Sequence, residues 1–328
     1  MRGKTVLRSL PLMAALAATA ATAALAQAGV PITSSNALFS TYCGTGGGAL
    51  NAVARLTASA GSASARGTAV GVKEPALNDT LTEVPAAHQG KGGKSFGATI
   101  GVYFHVITSN GVGNVSSESI SQQMTVLNMG FGGFEGGYNT GFKFKLLAVD
   151  RTENPAWFDA KAGSADERDM KAALHKGDAR NLNIYTSTAE DFLGWAYFPS
   201  TYKVHPTFDG LVIDWETLPG ASTRYAGAYD LGKTVTHEAG HWLGLYHVFQ
   251  GGCNNWGDYV DDTPPQLVAT RGCPEGQDSC KEPGLDSIHN YMDYSYDSCY
   301  DQFTAGQAAR MQDQWLFYRA DGGTTVKS

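Results

Sequence analysis

The stretch His237-Glu238-Ala239-Gly240-His241-Trp242-Leu243-Gly244-Leu245-Tyr246-His247 decides how this chain is read. Its pattern is H-E-x-x-H-x-x-G-x-x-H. His237 and His241 are four positions apart, so a helix puts both imidazoles on one face, where they can share one metal ion. Glu238 follows the first histidine directly and falls beside the metal rather than on it. Gly244 can adopt a backbone conformation closed to other residues, end the helix and turn the chain. That turn brings His247 back as a third ligand. Three neutral nitrogens with an open fourth position are the make-up of a catalytic zinc site. The short H-E-x-x-H pattern is a zinc-protease signature, and the long form with a later methionine turn marks metzincins.

Around this stretch the chain has 328 residues, enough for about two domain-sized units at most. Its net charge of -7, with no basic block, argues against nucleic-acid binding. The chain opens with Arg2, Lys4 and Arg8, followed by an alanine-rich apolar run from Leu10 to Leu25. Ala24-Leu25-Ala26 and Ala26-Gln27-Ala28 both read as small-x-small cleavage sites. This order is that of a secretory signal, residues 1–26. A membrane anchor fits less well, because the run is short and ends in a cleavage site. No later stretch is long and apolar enough for stable membrane insertion, so a secreted, extracellular and soluble protein is expected.

Residues 27–95 are rich in Ala, Gly, Ser and Thr and poor in large apolar side chains, so they bury little surface to offset chain ordering. They read as a pro-segment and linker, with a plain disordered N-terminus as the alternative. Cys43 lies within them. A thiolate there could take the open zinc position and hold the enzyme as a latent zymogen; the competing reading is an unpaired or intermolecular thiol.

A catalytic domain is expected over 96–328. Ala98–Ile107 is β-branched and aromatic and predicts a strand. His105 within it reads as a structural core residue. Ser116–Met129 predicts a helix capped by Ser116 or Ser117. The glycine-rich run Gly130–Gly137 lacks dinucleotide-loop spacing and reads as a plain loop. Further strands are predicted at Phe142–Leu146, Leu182–Thr186, Leu193–Pro199 and Leu211–Trp215, the proline-closed one suiting a sheet edge that could pair with an extended peptide. A helix is predicted over Ala165–His175, with His175 at its solvated end, and the histidine-bearing helix over Gly232–Leu245. Alternating strands and helices predict an α/β domain with a mainly parallel, twisted sheet.

Two later features bear on the opening stretch. Met292, in Asn290-Tyr291-Met292-Asp293-Tyr294, follows His247 by about 45 residues and could floor the metal site. Asp258, Asp261, Asp262 and Thr263 form an oxygen-rich loop that suits calcium, although its spacing is not an EF-hand; a solvated acidic loop is the alternative. Asp293, Asp297 and Asp301 follow or flank the methionine turn, where a pocket wall preferring Arg or Lys could lie; plain surface charges are the alternative. Four cysteines, Cys253, Cys273, Cys280 and Cys299, cluster here and allow three pairings.

These motifs together resemble the pappalysin family of metzincin metalloproteases, in its cytophagalysin-like secreted branch. The resemblance rests on His237, Glu238, His241, Gly244 and His247, on Gly257–Pro264, on Asn290–Tyr294 and on Phe303–Met311. It spans about residues 97–320. Cys43-Gly44 resembles, more weakly, the family's pro-segment cysteine switch. The resemblance implies a sheet and active-site helix above a loop-rich lower subdomain stapled by Cys253–Cys280 and Cys273–Cys299. It also implies zinc on the three histidines, Glu238 as general base and acid, and Tyr294 near the metal as ligand or oxyanion support. The expected function is a secreted, monomeric zinc endopeptidase acting on peptides or proteins. Two rivals are a secreted binding protein on a catalytically weak protease fold and a zinc-stabilised scaffold. Both are disfavoured by the intact ligands and Glu238.

Overall fold

Strand β1, Ala98–Thr108, sits inside the sheet, and its alternation shows why. Ile100, Val102, Phe104 and Val106 point into the main core, whereas Ile107 joins a second cluster on the opposite face. A strand covered on both faces is apolar on both, as expected in a parallel sheet. The computed structural model describes residues 96–190, 192–253 and 257–323. The expected signal segment, the pro-segment and Cys43 lie outside them.

From β1 the chain runs through helix α1, Ser117–Phe131, to β2, Phe142–Glu153. Short α2, Pro155–Phe158, and α3, Ala165–Leu174, lead to β3, Asn181–Ser187. Next come β4, Gly194–Ala196, α4, Pro199–Val204, and β5, Leu211–Asp214. Helix α5, Lys233–Trp242, carries the first two histidines, and α6, Ala305–Tyr318, closes the domain. The sheet order is β2-β1-β3-β5-β4. All neighbours are parallel except β4, which runs antiparallel on the edge against β5. The chain after α5 has little regular structure until α6, apart from a short 3-10 turn at Asp297–Cys299.

Several expectations are sharpened. Ser116 is the cap of α1, its hydroxyl accepting from the Ser119 amide. β2 runs well past Leu146, because its second half lies on an open sheet edge where exposed side chains hide the strand pattern. His175 is not a solvated helix end. It is half-buried, its Nε2 is enclosed, and burial pushes its pKa down. His105 is fully buried between Asp150 and Asn183 and stacks on Tyr185.

Helix α5 is buried along its whole length, polar residues included. One face packs through Val235, Ala239 and Trp242 into the same core as α1. It also ends sooner than expected, at Trp242. Gly244, at φ +98°, makes the left-handed turn. Leu245 N–H then donates to Gly240 O at 3.0 Å and Gly244 N–H to His241 O at 2.8 Å, the paired bonds of a Schellman cap.

Candidate active site

That helix end builds the site. The turn at Gly244 delivers the Leu245 carbonyl to His241, whose Nδ1 donates to it at 2.7 Å. His237 Nδ1 donates to the Tyr291 carbonyl at 2.5 Å. With protons held on Nδ1, both Nε2 atoms present lone pairs. His241 Nε2 lies 3.2 Å from His237 Nε2 and 3.2 Å from His247 Nε2. Lone pairs brought this close repel unless a cation lies among them. A tetrahedral ion bound at the usual zinc–nitrogen length of about 2.0–2.1 Å separates its ligands by about 3.3 Å. The donor set and its spacing therefore fit zinc. The carbonyls of Tyr291 and Leu245 fix tautomer and ring orientation, as is usual for metal-binding histidines.

His237, Glu238 and His241 are nearly fully buried, and His247 is half-buried. Phe249 stacks on His247 with centroids 4.7 Å apart. Tyr294 lies beside the histidines, its ring centroid 4.9 Å from His247 and 5.8 Å from His237. Met292 is fully buried beneath α5; a Cβ placed on Gly240 would come within 2.4 Å of its sulfur. The helix can settle on the methionine only because Gly240 has no side chain.

Glu238 faces the edge strand. A Cβ on Gly194 would lie 3.1 Å from Glu238 Oε1 and 2.9 Å from the Val212 carbonyl. Gly194→Val is therefore expected to push the carboxylate out of place and lower kcat about 10²-fold, with metal content unchanged. An active variant with ordinary kcat would show that β4 leaves Glu238 room.

A pocket adjoins the cluster and shares His237 and Glu238 with it; Leu193, Tyr229, Thr234, Asp293, Asp297 and Tyr300 complete most of its wall. Of the three aspartates expected there, Asp293 and Asp297 line it and Asp301 does not. Asp293 is already taken up by Gln266, Thr270 and the Tyr294 amide. Asp297 Oδ2 accepts from the amides of Leu231 and Lys233, at 2.9 and 3.2 Å. Its buried Oδ1 has no hydrogen-bond partner among the described residues. Burial pushes its carboxyl up to about 7, against the pull of those amides.

The disulfides are Cys253–Cys280 and Cys273–Cys299, with Cα–Cα distances of 5.5 and 5.7 Å. The second anchors the turn that carries Asp297. The acidic loop does not gather its carboxylates. Asp258 turns inward to Thr263 Oγ1 at 2.7 Å, whereas exposed Asp262 accepts from Thr304 Oγ1 and the Gly306 amide at the start of α6. Asp261 is exposed, and these aspartates form no three-ligand cluster among the described residues. Calcium in this loop therefore has no geometric support here.

The sequence reading missed the Tyr291 and Leu245 carbonyls, Phe249, Gly194 and the Leu193 and Tyr229 walls. Leu245 stood inside the histidine stretch, Leu193 and Gly194 in the strand expected at the sheet edge, and Tyr291 next to Met292; Phe249 and Tyr229 carried no signal.

A family model, Peptidase_M43, described as Pregnancy-associated plasma protein-A, matches residues 183–315. An extracellular metalloprotease of Arthroderma benhamiae is 46% identical over 229 residues, covering 68% of this chain and 74% of its own. One from Sordaria macrospora is 43% identical over 289 residues, covering 81% of this chain and 97% of its own. The chain belongs to the pappalysin family. This pappalysin is thus a metalloendopeptidase, a hydrolase that works with a metal ion. Its fold resembles that of a promirolysin mutant from Tannerella forsythia, with a TM-score of 0.59 and 28% identity over 70% of this chain and 83% of that one. Mature mirolysin in complex with a cleaved peptide gives a TM-score of 0.57 at 28% identity, over 70% of this chain and 100% of that one. The fold is accordingly the metzincin one, a mixed α/β sheet with an active-site helix over a disulfide-stapled lower part. Among the described residues no helix of this pappalysin is long and apolar enough to cross a membrane.

Proposed function

We propose that this pappalysin is a secreted zinc endopeptidase, made as a latent precursor and acting as a monomer on extracellular peptides or proteins. Residues 1–26 are its signal peptide, 27–95 its pro-segment and linker, and 96–328 its catalytic domain. The observation that carries the reading is the convergence of His237, His241 and His247 through Nε2 beside a buried glutamate, at the rim of a pocket. The relatives' description as extracellular supports export, and the likeness to a promirolysin supports latency. Cys43 is the proposed lock on the metal. Calcium forms no part of the proposal.

Zinc held by the three imidazoles would acidify a water toward neutrality and polarise the scissile carbonyl. Glu238 accepts the proton of the attacking water on its carboxylate and passes it to the leaving nitrogen. Tyr294, whose ring lies beside His247 and His237, steadies the developing oxyanion through its hydroxyl. Met292 keeps the floor apolar and dry. The outer edge of β4 offers main-chain groups to an extended substrate, which then lies across the histidines. Casein digestion should cease on chelation and return with zinc; digestion that persists in metal-stripped protein would overturn the proposal.

Asp297 in the pocket wall, its buried Oδ1 without a hydrogen-bond partner among the described residues, suits a lysine or arginine flanking the cut. Asp297→Asn is expected to lower kcat/KM for arginine-containing peptides about 10–100-fold relative to methionine-containing ones. The sign of the pH effect follows from the raised pKa. Asp297 is protonated below about 7 and charged above it, so the arginine preference should strengthen between about pH 6 and 8. A preference flat across that range would remove Asp297 from the reading.

A further inference from the structure

The glycine-rich run from Gly130 to Gly137 carries one charged side chain, Glu135, and the fold turns it inward. The loop lies tight against the chain before α6: a Cβ on Gly137 would come within 2.6 Å of Gln302 Cα. At this depth the Glu135 side chain is 10% exposed. Both of its carboxylate oxygens accept from Lys233 Nζ, and one also accepts from the Tyr291 hydroxyl.

Lys233 is the first residue of α5 and its side chain is 1% exposed. It lines the same pocket as Asp297, and its own amide donates to Asp297 Oδ2. Its buried ammonium, held by Glu135, bears electrostatically on Asp297 and so works against a pocket meant for a cation. Like charges in a desolvated site repel strongly, and Lys233 would also serve as an internal counter-ion for Asp297. The contradiction disappears once Glu135 is counted, because its carboxylate neutralises the ammonium from behind.

We propose that Glu135 is a specificity-determining residue: by neutralising Lys233 it leaves Asp297 as the dominant charge facing the pocket, which then selects a lysine or arginine side chain beside the scissile bond. The inference rests on the pocket reading given under Proposed function. Glu135 touches neither substrate nor metal in this arrangement. It acts through Lys233, and its hydrogen bond to Tyr291 ties the same carboxylate to the segment whose carbonyl orients His237.

The test is the ratio of kcat/KM for paired peptides that differ only in arginine or methionine at the cut. Glu135→Gln keeps an oxygen for Tyr291 and Lys233 but removes the charge. The ratio should fall about 10–100-fold, because the Glu135 charge no longer offsets Lys233, which then opposes the incoming cation. Combining Glu135→Gln with Lys233→Met removes both charges and should return the ratio toward wild type. Glu135→Asp, which keeps the charge, should preserve it and serves if the glutamine variant does not fold. A purely structural Glu135 would lower both substrates together with the ratio unchanged, which would overturn the inference. So would a double variant that stays at the Glu135→Gln ratio. Asp297→Asn separates the two levels. If it lowers the ratio and Glu135→Gln does not, this inference alone fails; if it leaves the ratio unchanged, the pocket reading fails and this one with it.

Discussion

Glu238→Gln is expected to retain its metal and lose about 10²–10⁴-fold in peptide hydrolysis. Glutamine has the shape of glutamate, so it fits the narrow space between Gly194 and α5 that leaves so little room for a larger neighbour. The three imidazoles keep their hydrogen bonds to Tyr291 and Leu245, and with them their tautomers. What disappears is a group that can take a proton from water and return it to the leaving nitrogen. Metal analysis of the purified variant beside a peptide assay checks both halves. Full activity would remove Glu238 from proton transfer, and loss of metal would make it part of the metal's support instead.

Arg319→Met should be strongly destabilising although it lies outside the metal site. Arg319 and Asp209 are both fully buried and joined by two hydrogen bonds of 3.0 Å. Arg319 also donates to the Trp242 carbonyl at 3.2 Å, and its guanidinium lies 3.7 Å over the Trp242 ring. Trp242 Nε1 in turn donates to Asp209 at 2.8 Å. Losing the cation leaves the Asp209 carboxylate enclosed with one indole partner, which costs about 3–5 kcal/mol. Because Trp242 follows His241, the loosened helix end should also release metal faster to a chelator. Urea unfolding and chelator competition measure the two effects. A loss below about 1 kcal/mol would show that water reaches the pair. Adding Asp209→Leu should recover much of the stability, since replacing both partners removes the orphaned charge.

Much of the site was legible in the chain because its central parts are local. His237 and His241 share a face through helical periodicity alone, and Gly244 marks the turn through its backbone freedom. The strands were found from β-branched and aromatic runs or, for β2, from alternation, although β2 was cut short where its side chains become exposed. The features that the sequence left open depend on contacts across long separations. Sheet neighbours are one case, since β1 pairs with β3 some eighty residues on. The enclosure of His175 is another, because the groups bearing on it, Asp209 and Arg319 among them, come from distant segments. The crowded aspartates after Gly257 were visible, but their divergence depends on a partner at the start of α6.

By itself, then, the sequence determined a helix with two histidines on one face, the turn that ends it and the metalloprotease class of the chain. Only the tertiary structure decided which carbonyls orient the histidines, which aspartate faces the pocket with an acceptor to spare, and that a glutamate from a glycine-rich loop neutralises the lysine beside it. The reason is physical. A ligand face and a turn follow from backbone geometry over a few residues, whereas burial, and with it every hydrogen-bond vacancy and charge balance, belongs to groups that meet only when the chain has folded.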